Sequence, residues 1–259
     1  MPEGDTIHRT ARTLNLVLAG RAIVRFEAPR LVATGPTAGT VVRAVEARGK
    51  HLLVHFDDGR VLHTHMRMSG SWHVYRRGEP WRRGRGAARV VLETADGTVA
   101  VCFAAPVVEW LRDPGSRGGA VLAQLGPDLC RADADLEEAA RRLARLDPAV
   151  EIGTALLDQR VASGVGNVYK SEVCFACRVD PSTPLSLVDT ATRRALLDTA
   201  ARMLRANLDR AHRETTLGGL AVYGRTGRPC RRCGTTIRRR RQGIPARSTY
   251  WCPTCQPPA

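Results

Sequence analysis

The pattern of apolar and polar positions changes its period along the chain and so divides it. In residues 6–19 the apolar side chains recur at helical spacing, which predicts an N-terminal helix. Between residues 22 and 103 the apolar runs are short and β-rich, with Asp-Gly turns that are typical of hairpins. The predicted hairpin strands are residues 51–56 with 61–65 and residues 90–94 with 98–103. This part is therefore predicted to be a mainly antiparallel β domain with a helix packed on it.

Beyond a Gly- and Pro-rich stretch at residues 112–119 the period becomes helical. The predicted helices span residues 135–146, 154–160, 167–177 and 190–211. A third unit follows, with cysteine pairs at both ends and four consecutive arginines between them. We predict an α+β fold whose parts are an N-terminal β domain (1–115), a linker (116–132), a helical domain (133–222) and a four-cysteine unit (223–259).

The charge balance points to a polyanionic partner. The net charge is +15 and the isoelectric point is about 10.6, which favours nucleic acid ahead of an anionic membrane surface. No run approaches the roughly 18 apolar residues that span a bilayer, and the first residues resemble no signal peptide. We expect an intracellular, cytoplasmic protein that acts on nucleic acid without a membrane. In that reducing compartment the eight cysteines should be thiols or metal ligands.

Four of these cysteines have the spacing of a zinc site. Cys230 and Cys233 form one Cys-x-x-Cys pair, Cys252 and Cys255 form another, and 18 residues separate the pairs. Four thiolates complete a tetrahedron, so we expect one structural Zn²⁺ per chain. The intervening arginines and Arg247 would then lie on a rigid basic hairpin suited to phosphates. A solvated charge run is the alternative.

The remaining cysteines and the histidines are interpreted more simply. Cys174 and Cys177 share a helical face without a second pair nearby, so they should act as small apolar residues. The same interpretation applies to Cys102 and Cys130. His63 and His65 lie on one strand face near His51 and His55, but no carboxylate or cysteine in the pattern completes a metal site.

The chain also contains candidate groups for chemistry and for phosphate binding. Only two of its 40 basic residues are lysines, Lys50 and Lys170, and a lysine can lose its proton more readily than an arginine. If Met1 is removed, Pro2 presents a secondary amine, and an α-amino group has a pKa of about 7.7–8.0. Such an amine can form an iminium ion with a sugar carbon while Glu3 transfers protons. The alternative is that a proline at position 2 before an acidic residue occurs by chance, as it does in many chains.

The segment 164–167 (GVGN) joins two predicted helices. Its glycines permit a tight turn, and the next helix begins near Asn167, where Gly166 and the first turn can bind a phosphate. A plain packing unit is the alternative. The basic balance of the chain favours contact with a DNA backbone.

Five motifs in order resemble the formamidopyrimidine-DNA glycosylase/endonuclease VIII (Fpg/Nei) family. They are residues 1–6 (MPEGDT), 49–53 (GKHLL), 68–70 (MSG), 164–169 (GVGNVY) and 247–256 (RSTYWCPTCQ). The resemblance implies an N-terminal antiparallel β-sandwich, a helix–two-turn–helix domain, a β-hairpin zinc finger and a damaged double-stranded DNA partner. We expect a monomer.

The resemblance also implies roles for individual residues. Pro2 matches the family's Schiff-base nucleophile, Glu3 its general acid, and Lys50 the lysine that assists β-elimination. Asn167 matches a phosphate-binding asparagine, and Arg247 matches the zinc-finger arginine linked to phosphate and to δ-elimination. Lys170 matches no catalytic position, and a phosphate contact or a solvated helix residue is expected there.

The substrate branch is mixed. Residues 1–6 and 102–109 look nearer to endonuclease VIII, which prefers oxidised pyrimidines. Met68 instead resembles the intercalating methionine of the formamidopyrimidine branch, and Arg67 and Ser69 stand where endonuclease VIII places other wedge residues. We favour a bifunctional glycosylase and AP lyase for oxidised pyrimidines. The alternatives are an oxidised-purine glycosylase of the same family and a non-catalytic zinc-ribbon protein that binds nucleic acid.

Overall fold

The computed structural model describes residues 2–31, 35–111, 117–210 and 212–258. It consists of two compact units, residues 1–124 and 125–259. The division falls inside the segment 116–132 that the sequence assigns as a linker, and that segment contains a short helix. No helix among the described residues is long and apolar enough to cross a membrane.

Among its described residues the first unit combines one long helix with eight strands. Helix α1 is Gly4–Leu18. The strands are β1 (Ile23–Glu27), β2 (Val42–Arg48), β3 (His51–Phe56), β4 (Val61–His65), β5 (Ser71–Arg76), β6 (Ala88–Thr94), β7 (Thr98–Phe103) and β8 (Val107–Trp110). Both predicted hairpins are present. The helix begins two residues before the predicted Thr6 because Glu3 already has the extended backbone of an N-cap residue.

These strands form two antiparallel sheets around one core. The sheet orders are β1-β6-β7-β5 and β2-β3-β4-β8. Alternate residues of β6 and β7, such as Leu92 and Ala100, enter the core together with Leu52 of the other sheet and Leu14 of α1. The α+β sandwich with an N-terminal helix is therefore confirmed.

The first sheet also buries its opposite face. Val91, Val101 and Phe103 form a second apolar cluster there, and Trp81 from the β5–β6 connection packs against it. This explains why every residue of β7 is buried and why its sequence does not alternate.

The second unit begins with helices and ends with a hairpin. Its elements are α3 (Leu136–Ala144), α4 (Ile152–Ala155), α5 (Asn167–Ala176), α6 (Thr190–Ala206), β9 (Arg238–Gln242) and β10 (Arg247–Trp251); α2 (Arg117–Ala123) precedes them in the first unit. The helical core centres on Tyr169, Leu197 and Leu204. The predicted helix at 154–160 is wrong. The Asp158 carboxylate accepts hydrogen bonds from the backbone N–H and guanidinium of Arg160, and these contacts hold a turn.

Helix α6 is shorter than predicted. Its end is fixed by Asn207, whose amide donates to the Met203 carbonyl at 2.8 Å and accepts from the Glu214 N–H at 2.7 Å. The last residue of the predicted span, Ala211, lies outside the described residues.

A buried carboxylate joins α5 to the chain that leads into the cysteine unit. Glu172 is 1% exposed and accepts from the backbone N–H groups of Ala221, Val222 and Tyr223 at 2.7–2.9 Å, as well as from the Thr215 hydroxyl. Several donors on one carboxylate offset the cost of burying its charge. Helix α5 thus orients the start of the cysteine unit.

Candidate active site and nucleic-acid interface

The N-terminal candidates lie at the start of α1. Glu3 occupies the N-cap position with only 1% of its surface exposed, and its carbonyl accepts from the Ile7 N–H at 3.0 Å. Pro2 is half-buried immediately before it. Met1 lies outside the described residues, so its removal stays a prediction. The start of the helix thus fixes the Glu3 backbone, and the fold buries its side chain.

Lys50 lies in the tight turn between β2 and β3. Arg48 pairs with His51 across the hairpin, so Gly49 and Lys50 alone form the connection. Gly49 has φ of +57°, a conformation that favours glycine. The turn holds the Lys50 backbone in place, while its side chain remains half-exposed.

A chain of buried polar rings, which the sequence did not reveal, runs behind Lys50. The Nδ1 atom of His51 lies 2.8 Å from Nε2 of His63, whose own Nδ1 lies 2.8 Å from Oε1 of Glu109. The sequence offered no carboxylate for these histidines, but β8 pairs with β4 and places Glu109 opposite His63. Because the carboxylate accepts, His63 donates from Nδ1 and accepts at Nε2, and His51 in turn donates from Nδ1.

Burial keeps these histidines neutral. Desolvation lowers the pKa of His51 to about 3 and that of His65 to about 4, and the charge of Lys50 contributes to both shifts. Burial also lowers the pKa of His63, although Glu109 opposes this effect. Nδ1 of His51 and both ring nitrogens of His63 are used in this chain of bonds, which ends on Glu109.

The turn between β4 and β5 presents the predicted wedge. Met68 is 66% exposed, and the preceding Arg67 has φ of +43° and donates its backbone N–H to His65 Nδ1 at 3.1 Å. The Ser69 hydroxyl donates to the Ala104 carbonyl at 3.0 Å. A Cβ atom at Gly70 would lie 2.8 Å from the Met66 carbonyl oxygen, so only glycine fits there. The turn is thus a fixed frame with an exposed apolar tip.

In the second unit Gly166 is the N-cap of α5 and Asn167 is its first residue. Gly164 has φ of +105°, as the tight turn requires. Asn167 is only 7% exposed, and its Nδ2 donates to the Ser248 carbonyl at 2.6 Å. In this structure the amide nitrogen therefore holds the β10 strand.

The basic hairpin exposes most of its arginines. Arg238, Arg239 and Arg241 of β9 and Arg247 of β10 are exposed, whereas Arg240 is half-buried and donates to Glu151 at 2.9 Å. The hairpin therefore presents several guanidinium groups to solvent, as phosphate contacts require.

Lys170 differs from the expectation. The sequence predicts a phosphate contact or a solvated helix residue, but its side chain is 0% exposed, so both interpretations are wrong. It donates from Nζ to the Thr249 hydroxyl at 2.6 Å. The only signal in the sequence is that lysine is rare in a chain with so many arginines; the burial of Lys170 leaves no trace in the pattern.

The remaining thiols fit the apolar interpretation. Burial raises the pKa of Cys174 and of Cys102 to about 12, so both are protonated. Cys130 is buried as well. Cys177 is half-buried and contacts the Thr199 hydroxyl at 3.6 Å.

The four cysteines of the terminal unit fit a zinc ion. Their Sγ atoms all lie within 4.8 Å of one another, and the Cys230–Cys255, Cys233–Cys252 and Cys233–Cys255 separations are 4.0, 3.5 and 3.4 Å. A tetrahedron with Zn–S bonds of about 2.3 Å has sulfur–sulfur edges of about 3.8 Å. Cys230, Cys233, Cys252 and Cys255 are thus positioned to bind one zinc, which would hold the hairpin rigid.

Family models cover most of the chain. The formamidopyrimidine-DNA glycosylase N-terminal domain matches residues 1–105, and the formamidopyrimidine-DNA glycosylase H2TH domain matches residues 125–217. The zinc finger found in FPG and IleRS matches residues 227–258.

Relatives align over nearly the whole length. A probable endonuclease 8 2 of Streptomyces coelicolor is 48% identical in an alignment of 265 positions that covers 99% of this chain and 94% of that protein. The DNA-(apurinic or apyrimidinic site) lyase Nei2 of Mycolicibacterium smegmatis is 42% identical over 99% of both chains. A formamidopyrimidine-DNA glycosylase of Herpetosiphon aurantiacus is 32% identical over 99% of this chain and 100% of that protein.

Solved structures have the same fold. Lactococcus lactis Fpg bound to DNA containing an oxidised pyrimidine superposes with a TM-score of 0.82 at 23% identity, covering 99% of this chain and 100% of that one. MutM in complex with DNA containing carbocyclic 8-oxo-G gives 0.81 at 24% identity with the same coverage. The family models and the sequence relatives show that the chain belongs to the formamidopyrimidine-DNA glycosylase/endonuclease VIII family of DNA-repair glycosylases and AP lyases, nearer to its endonuclease VIII members.

Proposed function

We propose that this enzyme removes oxidised pyrimidines from double-stranded DNA through an iminium (Schiff-base) intermediate on Pro2 and then cuts the strand by β- and δ-elimination. The observation that carries the proposal is the junction of Pro2 with α1. There a buried carboxyl group, that of Glu3, is fixed next to the residue whose amine would attack. The relatives named endonuclease 8 support the pyrimidine branch.

The first steps use the N-terminal pair. The Pro2 nitrogen attacks C1′ of the flipped nucleotide, and the bond from C1′ to the base breaks. The base leaves with the bonding electron pair and takes up the proton that the Pro2 nitrogen loses. Glu3 gives a proton to the ring oxygen as the sugar opens, which leaves an iminium ion between Pro2 and C1′. Flipping costs least where base pairing is already weak, and Met68 would fill the gap that it leaves.

The later steps cut the strand on both sides of the sugar. Loss of a C2′ proton from the iminium breaks the bond from C3′ to oxygen, and Lys50 assists this β-elimination. A second elimination breaks the bond from C5′ to oxygen. Gly166, Asn167, Arg67 and Arg247 would hold the flanking phosphates, and the cysteine-bound zinc supplies only the rigidity of the hairpin.

Borohydride reduction tests the imine. Wild-type enzyme mixed with abasic-site DNA and borohydride should become covalently attached to the DNA. A chain that carries an uncleaved extension before Pro2 should not be trapped, although its DNA affinity should change by no more than about threefold. Efficient trapping of the extended chain, or mass spectrometry of active enzyme that still begins with Met1, would refute the role of Pro2.

Glu3→Gln separates base release from strand cutting. An abasic sugar is already free to open, so this variant should still be trapped on abasic DNA. Its release of an intact oxidised base should fall by about 100-fold. Equal loss of both activities would assign Glu3 a structural role instead.

A lesion panel tests the substrate. Under single-turnover conditions we expect faster excision of thymine glycol and 5-hydroxycytosine than of 8-oxoguanine. The exposed Met68 favours a second candidate, an oxidised-purine glycosylase, and faster removal of 8-oxoguanine would establish it. We also propose that the enzyme acts as a monomer, which sedimentation of its DNA complex would check.

A further inference from the structure

Lys170 is a fully buried cation that the proposed chemistry does not use. It lies in α5, one turn after Asn167, and no part of its side chain is exposed. Burying an ammonium group costs more than burying an apolar side chain of the same volume. Simple packing therefore does not explain a lysine here, and arginine supplies nearly all other cations of this chain.

The ammonium group starts a directed chain of hydrogen bonds. Lys170 Nζ donates to Thr249 Oγ1 at 2.6 Å, and the Thr249 hydroxyl donates to Gln242 Oε1 at 2.8 Å. The Gln242 amide then donates to the Pro181 carbonyl at 2.7 Å. Because an ammonium group only donates, it orients the hydroxyl hydrogen toward Gln242.

The fold leaves space for this chain and buries it. Thr249 is 0% exposed and Gln242 is 5% exposed. A Cβ atom at Gly153 would lie 2.7 Å from Gln242 Oε1 and 2.8 Å from the Pro181 oxygen, so the side-chain amide fits because residue 153 is glycine. Both strands of the hairpin are thereby attached to the helical part of the second unit.

The same lysine reaches the residue next to Arg247. Its Nζ lies 3.4 Å from the Ser248 carbonyl, which also accepts from Asn167 Nδ2 at 2.6 Å. Two donors from successive turns of α5 therefore hold one peptide group of β10. Arg247 precedes that peptide and extends into solvent.

We propose that Lys170 is a positioning residue that fixes Arg247 relative to the first turn of α5, so that these two phosphate-binding elements act as one rigid site. The inference rests on the proposed role of Arg247 in the elimination steps. Lys170 would thus support the second strand cut from a buried position. Without it Arg247 would still be present but would no longer be held at the phosphate.

The partition between β- and δ-elimination products tests this proposal. Lys170→Met keeps the side-chain volume and removes the charge, and we expect it to lower the yield of δ-product relative to β-product about tenfold under single-turnover conditions. Arg247→Gln should have a similar effect. The double variant should be no worse than Arg247→Gln alone, because both changes remove one function.

A second pair of variants protects the test against misfolding. Thr249→Val should reproduce the loss seen with Lys170→Met, and Thr249→Ser, which keeps the hydroxyl, should restore the wild-type ratio. Ser171→Ala is the matched control: it removes a neutral contact to the Tyr250 N–H at 3.3 Å from the same helix, and it should leave the ratio unchanged.

Two results would overturn the proposal. One is a double variant whose δ-to-β product ratio falls by the product of the two single losses, and the other is a fall in Ser171→Ala as large as in Lys170→Met. Amide hydrogen exchange of residues 247–251 gives a readout that needs no DNA chemistry, and it should be faster in Lys170→Met at unchanged zinc content. If the wild type cuts no DNA, the proposed function fails, whereas unchanged exchange in Lys170→Met would refute the positioning role itself.

Discussion

The two units hold their candidate functional side chains by different physical means. In the first unit, Lys50 and Met68 lie on tight turns that depend on a glycine and on an apolar core: Gly49 has a positive φ, and Gly70 has no space for a side chain. In the second unit, Arg247 lies on a hairpin attached by a buried polar chain and by four cysteines. Apolar frames tolerate changes at the tip of a turn, whereas polar and metal frames fail when one member is lost.

Zinc removal should produce the largest difference between the units. Structural zinc contributes on the order of 10 kcal/mol to the folding of small zinc domains. A strong chelator, or Cys252→Ser, should therefore unfold residues 227–258 and abolish DNA binding while the first unit stays folded. Zinc analysis and hydrogen exchange of both units would check this, and retained protection of the hairpin without zinc would contradict it.

Exchanging each lysine for methionine contrasts the units chemically. Lys50→Met should slow β-elimination about 100-fold because it removes an acid–base group. Lys170→Met should leave that rate within about threefold, since it acts on Arg247. The rate at which each variant cuts abasic DNA would distinguish the two roles. Borohydride trapping of each variant would show that its active site is still folded. A wild-type rate in Lys50→Met would remove it from the mechanism.

Acidification should weaken the first unit through its histidines. His51 and His65 have a pKa of about 3 and about 4 in the folded protein, against an ordinary value of 6.5. The unfolded chain therefore binds more protons as the pH falls below 6.5, and each histidine lowers the unfolding free energy by about 1.4 kcal/mol per pH unit in that range. The groups that face these rings are Lys50, His63, Arg67 and Glu109.

Tryptophan fluorescence can follow this effect in one unit. In a Trp251→Phe background the remaining tryptophans, Trp72, Trp81 and Trp110, all lie in the first unit. Urea unfolding between pH 7.5 and 4.5 should show a steady loss of stability below pH 6.5, and His51→Gln should reduce the slope. A slope that does not change in His51→Gln would show that other groups dominate.

The smallest expected effect is at the wedge. Met68→Ala removes an apolar group that would fill the gap left by a flipped base, and excision of an intact lesion should fall about fivefold. Cutting of abasic DNA should change less, because no base has to be displaced. Met68→Leu serves as the control of similar volume. Equal losses on both substrates would argue against a wedge function.

Apolar periodicity and turn residues predicted most of the fold because both act locally. The strands His51–Phe56 and Val61–His65 agree with the sequence prediction to the residue. The helix at 154–160 failed because a side-chain-to-backbone contact of Asp158 competes with helical hydrogen bonds. The zinc site was predictable because its four ligands form two Cys-x-x-Cys pairs that can be recognised in the sequence.

The buried polar groups could not be predicted, because their partners are far away in sequence. Glu109 meets His63 only through the pairing of β8 with β4, 46 residues along the chain. Lys170 meets Thr249 across 79 residues. Neither contact leaves a periodic trace, so sequence reasoning assigned the lysine to the surface and the histidines to no partner.

Gly70 has a consequence for how lesion preference can diverge within such enzymes. A side chain at position 70 would collide with the backbones of Met66 and Ala105, so the β4–β5 turn accepts only glycine there. The side chains of residues 67–69 at the crest of that turn are exposed and meet no such limit on space. New recognition of damaged bases can therefore arise by exchanging crest residues one at a time on an unaltered support, and directed evolution aimed at other lesions should randomise those three positions and leave Gly70 untouched.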